Sequence, residues 1–399
     1  MKYWIWLSLC FSFGSPKLAK LLSVCSSAES IYNLDFNRAS KIVGFTEIEA
    51  KRFNNKSLRK SENIISECKQ TGINILTYDN PLFPKRLKNI PTPPICLYYK
   101  GTLPNFDNIP TVCIVGTRQA DDYSYRAAWS LSARLSLANV LVVSGGAIGI
   151  DSAAHLGAID TKSPTVALLA AGINNSYLKS NADLRERIRN RGCLISEFPP
   201  SFPVTKSAFH QRNRLMSGLC LGVVVIEAGE KSGALITARN ATEQGRDVFV
   251  VTGKPNDKKY AGSNMLLLDG AKPIFDVEDI LCEYYNSFGN IIDLDKAKSF
   301  NLSKLYKAVY KKANVSTNTP KKSVTMGEKQ GSGKLFAKKS NETLSKKAEI
   351  VYNRINSDFF TIDDLRETGF SVSEIFSAVT ELELRGLVKA VPGGRYTKL

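Results

Sequence analysis

No two cysteines stand as a C-x-x-C pair anywhere in the 399 residues, and no cluster of His with Asp, Glu or Cys has the spacing of a metal site. The eight cysteines (10, 25, 68, 96, 113, 193, 220 and 282) are scattered, several within apolar runs such as VCIVG. They read as reduced, buried thiols, which excludes a zinc site and a disulfide framework and points to the cytoplasm. No run of about 18 apolar residues occurs, so no helix is expected to span or insert into a membrane. The N-terminal MKYWIWLSLCFSF is apolar but short. It leads into GSPKLAKLLS without a small-residue cleavage site, the pattern of a buried helix rather than a signal peptide.

Acid is the other shortage: 37 Asp and Glu face 54 Lys and Arg, a formal charge of +17. Most of it sits in one place. Residues 296–347 hold 14 Lys, no Arg and two acids (Glu328 and Glu342), a net +12 that leaves +5 for the rest of the chain. With STNTPKKS, EKQGSGK and FAKKSNE and few apolar residues after Tyr310, this stretch reads as a flexible tether and as a diffuse electrostatic arm for nucleic acid. The folded parts, near neutrality, must then bind phosphate by local geometry.

What is present divides the chain into four. Residues 1–72 read as short helices, with Ser15 as N-cap before Pro16 and a capping box from Thr46 to Glu49; the turns FGSP and VGFT suggest a helix-hairpin-helix (SAM-like) N-terminal domain. In residues 73–285, after the segments INILTYDN and ICLYYKG, the runs TVCIVG, VLVVSGG, TVALLA, LGVVVIEAG and DVFVVTG alternate with helical segments, and CLISE adds a sixth run. Continuous Val/Ile/Leu runs of this kind predict an α/β fold, a Rossmann-like parallel sheet covered on both faces, with ligands at the carboxyl ends of the strands. Residues 286–342 are the basic linker. Residues 343–399 predict a winged-helix domain: KKAEIVYNRI, two capping boxes (Thr361 to Asp364 and Ser371 to Glu374), a third helix carrying Val372, Ile375, Phe376, Val379 and Leu382 at helical spacing and closed by Gly386, then LVKAV, a PGG turn and RYTKL. That third helix has Glu374, Glu381 and Glu383 against Arg385 alone, so a protein-binding or packing role is expected of it rather than contact with duplex DNA.

Chemistry concentrates at the predicted strand ends. VVSGGAIGIDSAAHLGAI, residues 142–159, runs from strand through a glycine cluster into a helix, an arrangement that offers backbone N–H groups to an anion, although GGAIG fits neither dinucleotide nor P-loop spacing. Asp151 is expected to cap the following helix, and His155 to be a packed helix residue rather than a catalyst. The candidate site is Gly116, where the backbone turns, and Arg118; Ser144, Gly145 and Gly146; Lys206, Phe209, Arg212, Asn213 and Arg214 from TKSAFHQRNRLMSG; and Ser232 and Gly233. Arg118, Lys206 and Arg212 supply charge, the glycines and Ser232 allow close backbone approach, and Lys206 with Phe209 lets a base lie on a ring beside its phosphate.

SGGAIGIDSAAH, FHQRNRLMSG, IEAGEKSGALITARNATEQGR and the GTR of the first turn together resemble the DNA-processing protein A family, DprA, also called Smf. The resemblance spans nearly the whole chain. It implies a cytoplasmic bacterial protein, not an enzyme and without a cofactor, that binds and protects single-stranded DNA, forms a homodimer through its Rossmann-like domain and loads RecA recombinase during natural transformation. Three positions depart from the family pattern: Ile148 stands for Arg, His210 for Pro, and Thr252-Gly253 for a Pro-Gly turn. The rival is a nucleotide-sensing protein or a phosphoribohydrolase of nucleoside monophosphates. Those hydrolases resemble P-G-G-x-G-T-x-x-E, but AGEKSGALIT places Thr237 where their catalytic Glu would stand.

Overall fold

Val112 and Ile114 of the run TVCIV enter the core on one face of the central sheet, and Cys113 and Val115 enter it on the other. A strand whose alternate side chains are both buried cannot alternate apolar with polar, which is why these segments read as unbroken apolar runs. The computed structural model describes residues 1–176, 181–299, 344–355, 359–361, 363–385, 387–391 and 395–398. The chain divides into two compact units, residues 1–318 and 319–399.

The first unit begins with six helices: α1 (Lys2–Cys10), α2 (Lys17–Val24), α3 (Ala28–Asn33), α4 (Phe36–Ile42), α5 (Glu47–Asn54) and α6 (Arg59–Thr71). The apolar N-terminus is the buried helix expected, with Trp4, Ile5, Trp6 and Leu7 all inside. The Thr46–Glu49 capping box opens α5, and Lys17 of α2 pairs with Glu49 at 2.5 Å. This helical cluster shares its core with Ile95 and Cys96 of the sheet domain, so the two are packed as one body.

A nine-stranded sheet follows, in the order β1-β2-β6-β5-β4-β3-β7-β8-β9. Its strands are β1 (Asn74–Thr77), β2 (Cys96–Gly101), β3 (Thr111–Val115), β4 (Leu141–Ser144), β5 (Thr165–Leu168), β6 (Cys193–Ser196), β7 (Gly222–Val225), β8 (Asp247–Val251) and β9 (Lys272–Ile274). β3 to β9 are parallel, while β1 and β2, from INILTYDN and ICLYYKG, form an antiparallel edge. β9 escapes the sequence reading because it is three residues long with Pro273 at its centre, tolerated only at an edge.

The helices of this region are α7 (Lys85–Lys88), α8 (Asp122–Leu137), α9 (Ile150–Asp160), α10 (Ala182–Arg191), α11 (Lys206–Leu219), α12 (Gly233–Glu243), α13 (Ala261–Leu268), α14 (Glu278–Phe288) and α15 (Leu294–Lys298). Residues 286–299, expected as the start of the linker, instead complete α14 and form α15. Ile292 and Ala297 bury themselves in the core beside α8, and Arg134 donates to the Ala297 carbonyl, which fixes this stretch to the body. The rest of the tether, 300–343, lies outside the described residues.

In the second unit, α16 (Lys346–Arg354) and α17 (Val372–Leu384) enclose a core of Ala348, Val351, Ile375, Val379, Leu382 and Val388. β11 (Val388–Val391) and β12 (Arg395–Lys398) pair as an antiparallel wing, and β10 (Phe359–Phe360) joins β12. Ser371 and Glu374 form the expected capping box. Thr361 and Asp364 also bond reciprocally, but the turn they open is a 3-10 helix, Asp363–Thr368. The acidic face expected of the third helix is largely spent within the domain: Glu374 pairs with Lys347 at 2.6 Å, and Glu381 accepts from the Ser345 amide and hydroxyl and pairs with Arg385. Gly386, the PGG turn and the side chains of Val372 and Phe376 lie outside the described residues.

Candidate nucleic-acid interface

The chain order of the sheet reverses between β3 and β7: β4, β5 and β6 lie beyond one and β8 and β9 beyond the other. Connections leave these two strands in opposite directions and open a crevice beyond their carboxyl ends. There lies a cleft of about 600 Å³, lined by Gly116 to Gln119 after β3, by Phe209, Arg212 and Asn213 of α11, and by Gly229 to Gly233 after β7.

Helical period selects what α11 contributes. Phe209, Arg212, Asn213 and Met216 are spaced i, i+3, i+4, i+7 and share the face that lines the cleft. Phe209 is half-buried, and the exposed Arg118 lies with its guanidinium carbon 4.9 Å from the ring centroid. Arg212 is 6 % exposed and donates through Nη1 to the carbonyls of Gly145 (2.8 Å) and Leu168 (2.6 Å). Its Nε donates to Asn213, whose amide donates in turn to the Gly233 carbonyl and ties α11 to the start of α12. Arg212 is thus a cation at the floor, held by backbone.

The third wall is the N-terminus of α12. Ser232 caps it by accepting from the Ala234 amide, and among the described residues nothing beyond its chain neighbours and its own helix backbone lies within 4 Å of where a Cβ on Gly233 would stand. The positive end of a helix dipole therefore faces open space. Lys231, one residue before the cap, is exposed on the same rim. Glu230 is exposed beside it on the same cleft, and a cation one residue before the cap in EKSGAL is the signal from which sequence reasoning could have added Lys231.

The glycine cluster holds an anion, but an internal one. Gly145 and Gly146 are buried, and a Cβ on Gly145 would stand 2.0 Å from Arg212 Nη1 and 2.6 Å from Asp151 Oδ2. Asp151 does not cap α9. Gly149, at φ +81°, is the residue before the helix, and Asp151 turns back from its first turn to accept from the Ala147 amide at 3.3 Å. Burial pushes this carboxyl above the usual range, while Arg212 and the loop amides pull it down. Ser144, fully buried, donates to the Ile114 carbonyl beneath. The loop shapes the floor around a carboxylate and leaves the α12 N-terminus to face the solvent.

The remaining candidates separate. Gly116 lines the cleft where a Cβ would stand 2.6 Å from Ile150, so its role is to let α9 pack close. Lys206 is exposed on the first turn of α11, one turn before Phe209, and does not itself line the cleft. Arg214 lies elsewhere: buried, it reaches both oxygens of Glu197 at 2.6 Å and packs against Gly14 in the turn between α1 and α2. His155 is buried with Nδ1 2.8 Å from Thr165 Oγ1, and burial holds it at a pKa of about 3, so it stays neutral and structural. Ile148, standing where the family pattern has Arg, is exposed at the tip of the glycine loop.

Residues 74–285 match the family described as DNA recombination-mediator protein A, and residues 337–394 match the DprA winged helix domain. The chain belongs to the DNA recombination-mediator protein A family. Within this family, Protein Smf of Synechocystis sp. is 32% identical over 338 residues, which cover 84% of this chain and 82% of that protein. DNA processing protein DprA of Bacillus subtilis is 36% identical over 224 residues, 56% of this chain and 75% of that one. The X-ray structure of DprA from Streptococcus pneumoniae superposes with a TM-score of 0.63 at 29% identity, covering 71% of this chain and 98% of the other. Fold and family therefore agree with the expectation from the motifs, including the winged helix.

Proposed function

We propose that this recombination mediator binds single-stranded DNA in the cleft beyond β3 and β7, protects incoming strands and loads RecA recombinase onto them during natural transformation, in the cytoplasm and without catalysis. The observation that carries the reading is the juxtaposition of the Arg118–Phe209 pair with Lys231 and the open N-terminus of α12 around one crevice. Charge and helix dipole suit a phosphate, and a ring beside them suits a base that is free to unstack, which duplex DNA does not offer. Of the candidates, Arg118, Phe209, Ser232 and Gly233 are assigned to contact DNA, with Lys206 beside them. Ser144, Gly145, Gly146, Arg212 and Asn213 shape the floor, and Gly116 seats α9. A homodimer of the sheet domain is supported by Leu268 and Phe275, 88 % and 81 % exposed at the β9 edge. We divide the chain functionally into helical, sheet, tether and winged-helix parts, with the tether beginning after α15.

Titration of the full chain with a single-stranded oligonucleotide, the matching duplex and thymidine monophosphate tests the reading, which predicts that order of affinity. Tightest binding of the mononucleotide, or release of free base from it, would favour the hydrolytic or nucleotide-sensing alternative, for which Asp151 is the buried acid in the cleft. Displacement of a single-strand-binding protein by RecA, faster with this chain present, tests the loading step.

A further inference from the structure

α11 serves two clefts. On the side away from Phe209 and Arg212, Ser207 and Gln211, with the cap Thr205, line a groove of about 420 Å³ between this helix and the N-terminal helices. Its opposite wall carries Arg52 from the last turn of α5 and Lys60 from the first turn of α6, both exposed, and among the described residues no Asp or Glu lines it. Phe13 and Phe202, each half-buried, meet edge-on with centroids 5.5 Å apart and line the same groove. Ser61 also lines it, 1 % exposed, with a hydroxyl that has no hydrogen-bond partner among the described residues. A buried hydroxyl left unpaired is costly, and this one lies in the wall of a cationic, aromatic-edged groove, where a side-chain rotation would give it a ligand's acceptor.

We propose that this groove is a second subsite for the same DNA strand, taking the phosphate and base of nucleotides that continue from the first cleft. The inference rests on the single-strand reading above. At about 100° per residue, Lys206 and His210 fall on the edge of α11 between its two lined faces, and both are exposed. The strand has only the width of a helix, about 10–12 Å, to cross, and passes Lys206 as it does so. Lys206 thereby gains a role as the cation between two subsites, outside both.

The test is fluorescence anisotropy on the full chain with oligo-dT of about 6 and about 20 nucleotides, spanning the range of site sizes for single-strand binders. Arg52→Ala with Lys60→Ala is expected to leave the short oligonucleotide unaffected. It should weaken the long one about twentyfold at about 0.1 M salt and flatten its log-log salt slope by about 1.4, from two contacts at about 0.7 each. Ser61→Ala should weaken the long oligonucleotide severalfold while leaving the thermal midpoint equal or higher, because no hydroxyl remains unpaired. Equal loss at both lengths, or no loss at either, overturns the second subsite. So does thymidine monophosphate binding that the double variant alone abolishes, which would make the groove a free-nucleotide site. Phe209→Ala run alongside separates the two readings: if it weakens both lengths, the first cleft stands whatever the groove does, and if it weakens neither, both readings fall.

Discussion

Replacing Arg214 by Met separates a structural cation from a DNA-binding one. Arg214 and Glu197 keep side-chain exposures of 9% and 5%, and a single nitrogen, Nη2, reaches both carboxylate oxygens at 2.6 Å. Nε and Nη1 are buried without hydrogen-bond partners among the described residues. Arg214→Met strands a buried carboxylate, which costs about 3–5 kcal/mol, or on the order of 10 °C in the thermal midpoint of a domain this size. The loss depends on pH. Burial already raises Glu197, and Arg214 is what pulls it back. Without the arginine its folded-state pKa climbs further above the unfolded value of about 4.3, so the proton stabilises the folded variant. The deficit against wild type is therefore smallest below that value and grows as pH rises through the elevated pKa. Adding Glu197→Met removes both charges and should recover most of the stability, because the original pair leaves two donors unsatisfied. Thermal melts at about pH 4.3 and pH 7, followed by tryptophan fluorescence, measure both effects. Affinity of the double variant for single-stranded oligonucleotide should equal that of wild type. A stable double variant with DNA affinity reduced as far as in Arg118→Ala would refute the placement of Arg214 outside the interface.

Three further outcomes follow from the cleft, the tether and the sheet edge. Arg118→Ala and Lys231→Ala should each flatten the salt dependence of single-strand binding by about 0.7, whereas Phe209→Ala should cost about 1–3 kcal/mol with little change in slope, read from titrations at several salt concentrations. A neutral Gly/Ser segment in place of residues 300–343 should lower affinity for single and double strands by a similar factor at low salt. That difference should fade near about 0.15 M, where the Debye length is about 8 Å. Leu268→Asp with Phe275→Asp should shift the chain to monomer in sedimentation, and an unchanged mass would remove the β9 edge from consideration as the dimer surface.

Much of this fold was legible because its strands are buried on both faces and its helices carry their own start signals, Thr46 with Glu49 and Ser371 with Glu374. β9 and the antiparallel edge were harder, since short edge strands are set by what they pair with rather than by their own pattern. The site was legible by rim and not by direction. Arg212 and Arg214 look equivalent in FHQRNRL, yet two residues along a helix point about 200° apart, so one floors the cleft and the other is sealed against Glu197. Counting in threes and fours from Phe209 would have separated them. The anion in the glycine loop could not be read so simply. Strand, glycines and helix are the same whether the N–H groups face a phosphate or turn inward to Asp151, and only the distances decide.

The crevice beyond β3 and β7 is where we propose that a single strand sits. A single-stranded oligonucleotide carrying 5-iodouracil, cross-linked to the full chain by long-wavelength ultraviolet light and mapped by peptide mass spectrometry, tests it directly. Cross-links on the peptide that contains Phe209, lost in Phe209→Ala while Arg214→Met/Glu197→Met retains them, are the predicted result. Cross-links confined to the winged-helix peptides of residues 344–398, with Phe209 unlabelled, would contradict it.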